Sequence, residues 1–560
     1  MSQEHQELPS SNSDGQARAK VLAGEALQEF TPTSLVSYHS GGRLLLVGKQ
    51  AACLAAANAL RDDLECTIWT PSNKAPESAL EHGFRMVRGG NPKLHGALGQ
   101  FKVSLDVAEG HLPLEPGLLE HDLVLDLGES KLIDAELLPV GYYAPATAEA
   151  LDRDLKLLPG MTGEFEKPKY FHYNASLCAH GRSGLPGCTR CLDACPAVAI
   201  TSLGDTVSVD PYLCQGGGSC VAACPTGAMT YAFPRVSDLL AHVQSLLTSY
   251  QEEGGTDPVL LFHDAWSGYQ IYGPLANTLS ERVLPIQLEE IGSIGMDAWI
   301  SCLAFGAAGI VMAITQGTPP RMSRELAEQI SFTLPILTGM GYPENCLSMV
   351  NVEEPAATAM LGEGVPRSQL KRTARYAPQE DKRTNLRNGI NHLYSQASST
   401  RKSVDLPSAA PFGEIRVDQQ ACTLCMGCVA VCPTKALRDG SDLPQLKFME
   451  WDCVQCGLCE EACPENAITR HARFVYDNDT RHQVRLLYEE QPLCCIVCGK
   501  AFATQSMLKV VSEKLEGHWM FQNEQAKRRL YMCEHCRVKD MLQSQSGQSD
   551  NAIFEGIAKK

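Results

Sequence analysis

The sequence predicts a multidomain α+β chain. Two small cysteine-rich modules are set among two α/β domains, and a small C-terminal region carries cysteine knuckles. Three observations predict it. Between Cys422 and Cys463, eight cysteines form two copies of the pattern C-x2-C-x2-C-x3-C-P. A damaged version of the same run lies near residue 190. Two stretches, starting at Arg43 and at Asp257, alternate short apolar strands with helical segments. With 560 residues the chain is too long for one core and is expected to divide into about three to five domains.

Residues 1–35 read as mostly disordered, and Met1 to Lys20 lacks the apolar stretch of an export signal. Residues 36–160 read as a Rossmann-like α/β domain. Arg43–Gly48 is strand-like, Gln50–Leu60 is an alanine-rich helix, and Cys66–Thr70 and Asp122–Leu127 are further strands. The first turn, Leu46-Val-Gly-Lys-Gln-Ala-Ala, has the look of a dinucleotide-binding turn but lacks G-x-G-x-x-G. A scaffold without nucleotide is the expectation.

The two complete cysteine runs lie in a module spanning 413–475. This is the bacterial ferredoxin pattern, in which thiolates hold 4Fe–4S clusters. Three cysteines two residues apart wrap one corner of a cubane, and the fourth reaches the other cluster. The rule assigns Cys422, Cys425, Cys428 and Cys463 to one cluster and Cys453, Cys456, Cys459 and Cys432 to the other. Pro433 and Pro464 turn the chain away after each run. The competing readings are structural zinc or a disulfide framework, and two full copies with both prolines disfavour them.

The damaged module spans 161–235. Cys188, Cys191 and Cys195 keep most of a run, but Leu185 stands where its first cysteine belongs, and Cys178 lies ten positions before Cys188. In the second run Cys214, Cys220 and Cys224 remain, and Gly217 replaces the second cysteine. The crossover assigns Cys188, Cys191, Cys224 and Cys178 to one 4Fe–4S cluster. Cys195, Cys214 and Cys220 are left for a 3Fe–4S cluster, or for a 4Fe–4S cluster with one non-cysteine ligand. The alternatives are a half-module that lost its cluster, and a free thiol at Cys178.

Residues 236–352 predict a doubly wound parallel sheet. Its strands are Pro258–Phe262, Val283–Leu288, Gly309–Ile314 and Cys346–Val350, with a helix at Met296–Phe305. The uncharged run Ala298 to Gly317 is long enough to suggest a membrane span. Gly306 and Gly309 interrupt it, so a buried helix leading into a buried strand is the reading. Cys302 and Cys346 read as small buried hydrophobes. Residues 353–412 read as a solvated linker with a helix, basic at Lys371–Arg375 and Lys382–Arg387.

Residues 476–545 contain Cys494-Cys495-Ile-Val-Cys498-Gly and Cys533-Glu-His-Cys536. Two C-x2-C knuckles predict a four-cysteine site of Cys495, Cys498, Cys533 and Cys536, with Cys494 spare and His535 outside it. Zinc is favoured over another iron–sulfur cluster, and four thiolates leave no open position for catalysis. Residues 546–560 read as a flexible tail.

Several segments carry a resemblance. Gly163-Glu-Phe-Glu-Lys-Pro-Lys-Tyr170, Cys178-Ala-His-Gly-Arg-Ser-Gly-Leu-Pro-Gly-Cys-Thr-Arg-Cys191, Cys498-Gly-Lys-Ala-Phe-Ala-Thr504 and Met532-Cys-Glu-His-Cys-Arg537 resemble bacterial cytoplasmic 4Fe–4S dicluster (polyferredoxin-like) proteins associated with formate dehydrogenase systems. Leu284-Pro-Ile-Gln-Leu-Glu-Glu-Ile-Gly-Ser-Ile with Ala304-Phe-Gly-Ala-Ala-Gly-Ile-Val-Met is similar to the delta subunit of methyl-viologen-reducing hydrogenase, though that family's cluster cysteines are not evident. The first resemblance implies formate dehydrogenase as a partner. The second implies a docking domain.

All cysteines but Cys53, Cys66, Cys302 and Cys346 fall in these patterns, which with the missing export signal implies the cytoplasm. The net charge of −17 argues against nucleic acid and suits a redox partner with a basic docking face. The expected function is transfer of single electrons through the clusters, with no catalytic residue in this chain. The alternatives are an iron–sulfur redox sensor or metalloenzyme assembly scaffold, and a flavin- or nicotinamide-dependent reductase using the N-terminal turn.

Overall fold

The computed structural model describes residues 12–25, 30–105, 119–362, 364–397, 401–441 and 443–546. The chain forms two compact units. One comprises Met1–Leu177 and Thr189–Thr400, the other Cys178–Cys188 and Arg401–Lys560.

In the first unit Leu44, Leu45, Leu46 and Val47 are all buried, which is why Arg43–Gly48 reads as a continuous apolar run. It sits inside a six-stranded sheet ordered Tyr142–Tyr143, Leu123–Leu127, Arg43–Gly48, Glu65–Thr70, Phe84–Gly90 and Ser72–Glu81. All pairings are parallel except the last. Alternate residues serve opposite faces. Leu44 and Leu46 meet Cys53, Ala56, Ala57 and Leu60 of the Gln50–Leu60 helix. Leu45 and Val47 meet Leu94, Phe101 and Val103 of a small sheet built from Pro92–His95, Phe101–Leu105 and Glu120–His121. Gly48 has a packing reason of its own, because a Cβ there would lie 2.8 Å from the Leu127 backbone.

A second sheet is parallel throughout, in the order Val283–Gln287, Val259–His263, Gly309–Ile314 and Leu347–Asn351. Every residue of the Met296–Phe305 helix beside it is buried, and that burial corrects one of two expectations the structure overturns. The stretch 353–412 is more than a linker, since its Lys382–Ser395 helix buries Leu386, Ile390 and Leu393 and packs on Met296–Phe305. Gly389 permits the approach, as a Cβ there would come within 2.7 Å of Ile300 Cγ2. Lys382 is not a solvated cation. Its Nζ donates to the carbonyls of Val221 (2.8 Å) and Ala222 (2.9 Å) and lies 3.7 Å from Asp297.

The second correction concerns residues 1–35. Ser13–Glu25 is helical, with Ala17, Arg18 and Val21 buried. Arg18 donates to Ser280 O (3.0 Å), and Asp14 accepts from the Thr256 amide (2.7 Å). These distant partners hold a helix whose own apolar pattern is weak. Of residues 546–560, read as a flexible tail, Ser546 ends the Glu534–Ser546 helix and 547–560 lie outside the described residues.

In the second unit Gly413–Val417 pairs antiparallel with Ile468–Val475, and Ser403–Asp405 joins the other edge of the latter. A companion sheet orders Leu437–Gly440, Leu443–Met449 and Val484–Glu489. The Pro492–Cys494 and Ala501–Thr504 hairpin leads into helices Gln505–Leu515, Glu524–Arg529 and Glu534–Ser546. The Cys178–Cys188 segment brings a hairpin, Gly181–Arg182 with Leu185–Pro186, onto the short helix Leu458–Glu461. Among the described residues no helix is long and apolar enough to cross a membrane.

Candidate metal centres

The loop after Cys422 holds two residues in the left-handed region, Leu424 (φ 52°) and Met426 (φ 60°). The loop after Cys453 does the same at Gln455 (54°) and Gly457 (90°). Alternating hand in successive residues turns backbone N–H groups inward, making a concavity for an anion. The sulfurs are those anions. Amides of Leu424, Val429, Gln455 and Leu458 lower the thiols of Cys422, Cys428, Cys453 and Cys456 respectively, against a larger opposing effect of burial. Ala467 N donates to Cys463 Sγ at 3.2 Å, and Gln455 Nε2 to Cys453 Sγ at 3.3 Å.

The chain brings the remote cysteines together in crossed fashion. Cys422, Cys425, Cys428 and Cys463 line one cavity. Cys432, Cys453, Cys456 and Cys459 line another. Burial, and after it the neighbouring thiols, push Cys428 and Cys453 up to about 12. Four ionised thiols cannot share such a spot unless a cationic centre compensates them. The donor set therefore fits an iron–sulfur core. All 24 cysteines are free thiols in the structure.

The first unit repeats this architecture with a gap. After Cys214, Gly216 (φ 79°) and Gly218 (φ 74°) occupy the same left-handed positions as in the intact loops. The third residue after the last cysteine of each run is also left-handed: Val198, Gly227, Lys435 and Asn466. Ala199 N donates to Cys195 Sγ and Met229 N to Cys224 Sγ, each at 3.4 Å. The backbone thus keeps the cluster-binding loop although Gly217 has no thiol. Burial raises Cys220 well above its ordinary value, followed by the effects of Cys195, Cys214, Cys191 and Cys224. The Ser219 hydroxyl is buried without a hydrogen-bond partner among the described residues, and cluster sulfide or thiolate would supply an acceptor. Cys178 and Cys188 belong to the second unit and Cys191 and Cys224 to the first.

Two segments match known domain families. Residues 185–228 and residues 414–464 each match a 4Fe-4S dicluster domain. The chain is an iron–sulfur protein. A comparison with curated proteins finds no match. Electron transfer is the general activity that such domains imply.

Sequence reading missed the groups around the sulfurs. Lys167, on strand Gly163–Pro168, donates from Nζ to Cys214 O (2.6 Å) and Tyr212 O (3.1 Å), 5.1 Å from the Tyr38 ring centre. Burial pulls it down to about 8, with Cys214 and then Asp210 opposing. Its charge favours the reduced, more negative state of an adjoining cluster. Lys167→Met is expected to shift the potential of that centre negative by on the order of 50 mV, a tenfold change in a one-electron equilibrium, and Lys167→Arg to shift it less. Redox titration followed by EPR measures this. No shift in Lys167→Met would place the cluster elsewhere.

The knuckle cysteines Cys495, Cys498, Cys533 and Cys536 hold their sulfurs within 4.8 Å of one another. Cys494 is exposed, and it and His535 are outside the group. Burial opposes ionisation of Cys495, yet the amides of Cys533, Cys498 and Val497 bring it down to about 6. A metal-bound thiolate needs such donors. The region is tied to the Cys422 loop through Thr504, whose Oγ1 donates to Thr423 O (2.9 Å) and accepts from Met507 N (3.2 Å) at the start of Gln505–Leu515. Thr504→Val removes a cap and a buried bond together and is expected to destabilise this region by about 1–2 kcal/mol. Faster amide exchange in Gln505–Leu515 is the readout, and unchanged exchange would rule the role out.

Proposed function

We propose that the protein carries single electrons between a redox enzyme and another carrier in the cytoplasm. The crossed grouping of Cys463 with the Cys422 loop and of Cys432 with the Cys453 loop is the observation that supports this most. In this reading those two sets hold 4Fe–4S clusters. A third 4Fe–4S cluster uses the set that includes Cys191 and Cys224. Cys195, Cys214 and Cys220 hold a 3Fe–4S or incompletely cysteine-ligated cluster, and the knuckle cysteines hold zinc.

This chain's residues bind the clusters, aim amides at their sulfurs and exclude water, while the clusters supply the one-electron chemistry. The acidic net charge of −17 suits a partner with a basic face. Formate dehydrogenase is the candidate enzyme, on the resemblance of the Gly163–Tyr170 and Cys178–Cys191 segments. A second reading, a redox sensor or assembly scaffold, draws on Gly217, because an incomplete cluster can gain or lose iron.

Iron, sulfide and zinc analysis of anaerobically purified protein tests the proposal. About fifteen to sixteen irons and one zinc per chain support it. About eight irons would mean that only the Cys422–Cys463 module is loaded, and would favour the scaffold.

A further inference from the structure

Gly217 stands where the fourth thiolate of the Cys195, Cys214 and Cys220 set belongs, and it is buried. A Cβ on Gly217 would meet Met322 Cε at 3.3 Å, Pro196 Cγ at 3.3 Å and Leu137 Cδ1 at 3.4 Å. Two of these atoms come from outside the ferredoxin-like module. Met322, which is 1% exposed, lies in the first turn of the Pro320–Gly339 helix.

That turn is fastened beside the same cysteines. Arg321 donates from Nη1 to Cys195 O (2.9 Å), and its amide donates to Glu136 Oε2 (2.8 Å). Pro196 O accepts from the amides of Glu136 (2.9 Å) and Leu137 (3.1 Å). A third segment closes over the glycines. A Cβ on Gly292 would lie 2.4 Å from Gly217 O and 3.1 Å from Met322 Cγ, and one on Gly218 only 2.4 Å from Ser293 Cα. Met322, Pro196 and Leu137 thus crowd the side of Gly217 from which a cysteine side chain would start.

We propose that Met322 closes the cysteine-free corner, so that the site holds a three-iron cluster kept at three irons by packing. The inference rests on the reading of Cys195, Cys214 and Cys220 as cluster ligands. It makes the missing cysteine a permanent feature of a stable carrier. A sensor that exchanges a labile iron needs the corner to open, and here an apolar side chain held by the Arg321 contacts fills it. A thioether is uncharged and cannot replace the charge of a thiolate.

The test follows iron uptake by the full-length protein. Dithionite gives a [3Fe–4S]+ cluster one electron, and the resulting [3Fe–4S]0 can bind Fe2+ to become [4Fe–4S]2+ without further electron exchange. Oxidised wild type is expected to show a three-iron EPR signal of about one spin per chain. After dithionite, Fe2+ and reoxidation, that signal should persist in the wild type. In Met322→Ala it should fall at least tenfold, with about one iron per chain gained. Met322→Val, which leaves a smaller cavity, serves if the alanine variant does not accumulate.

Equal uptake in wild type and variant, or none in either, would overturn the role of Met322. A wild type lacking the signal but losing about four irons on Cys220→Ala would show an open corner and also overturn it. A wild type lacking the signal, with no iron lost on Cys220→Ala, would instead bring down the ligand reading beneath it.

Discussion

Cys463→Ala is expected to strip about four irons from the chain and to make Cys422, Cys425 and Cys428 open to alkylation, while Cys453, Cys456 and Cys459 stay protected. Proximity in sequence suggests the opposite, because Cys463 is four residues from Cys459. The cavity linings favour the crossed pairing. Cys463 lines the one with Cys422, Cys425 and Cys428, and Cys432 the one with Cys453, Cys456 and Cys459. Cys432→Ala is therefore expected to give the mirror result. Anaerobic alkylation with peptide mass mapping separates the outcomes, since a cluster-bound thiolate does not alkylate. Labelling of Cys453 and Cys456 in Cys463→Ala would show uncrossed ligation. Labelling of both sets would show that the two centres stand or fall as one unit.

Much of this architecture was legible because it is local. Gly309–Ile314 and Met296–Phe305 follow from largely apolar runs bounded by glycine, and Arg43–Gly48 and Gln50–Leu60 from similar local patterns. The cysteine loops were legible because ligand spacing is itself a local constraint. What escaped depends on distant partners. The Ser13–Glu25 helix rests on Ser280 and Thr256. A helix was expected within 353–412, but not that Lys382–Ser395, polar in composition, would pack on the buried Met296–Phe305 helix. Lys167 comes beside Cys214 across 47 residues, and no single-sequence signal marks it. One missed signal was present. Gly216 and Gly218 stand at the two positions where the intact loops go left-handed, so the glycine run around Gly217 spells a retained loop rather than a lost one.

Glu450→Ala is expected to destabilise the second unit by about 3–5 kcal/mol, a large share of the roughly 5–15 kcal/mol typical of a domain. The Glu450 carboxylate is 6% exposed and accepts from Arg473 Nε (2.9 Å) and Nη2 (2.8 Å) and from Arg485 Nη2 (2.9 Å). Glu414, 10% exposed, shares both arginines at 2.7 and 3.5 Å. Alanine leaves two guanidinium groups with one buried carboxylate, and that uncompensated charge is the source of the cost. The effect reaches the centre, because Glu450 O accepts from Cys453 N at 3.1 Å. Glu450→Gln keeps the volume and one acceptor and should fall between. Acid should act in the same direction through Glu414. Burial works against its ionisation, but the Arg416 hydrogen bond and the charges of Arg473, Arg485 and Arg416 hold it below the ordinary glutamate value. A folded-state value lower than the unfolded one means its contribution is complete above the ordinary value and is lost as pH falls through the lowered one. Amide exchange in Gly413–Val417 and Ile468–Val475, with Val259–His263 of the other unit as internal reference, reads both effects. Unchanged protection in Glu450→Ala would mean that water or a rearranged Glu414 neutralises the arginines, and the Cys453 loop would then not depend on this network.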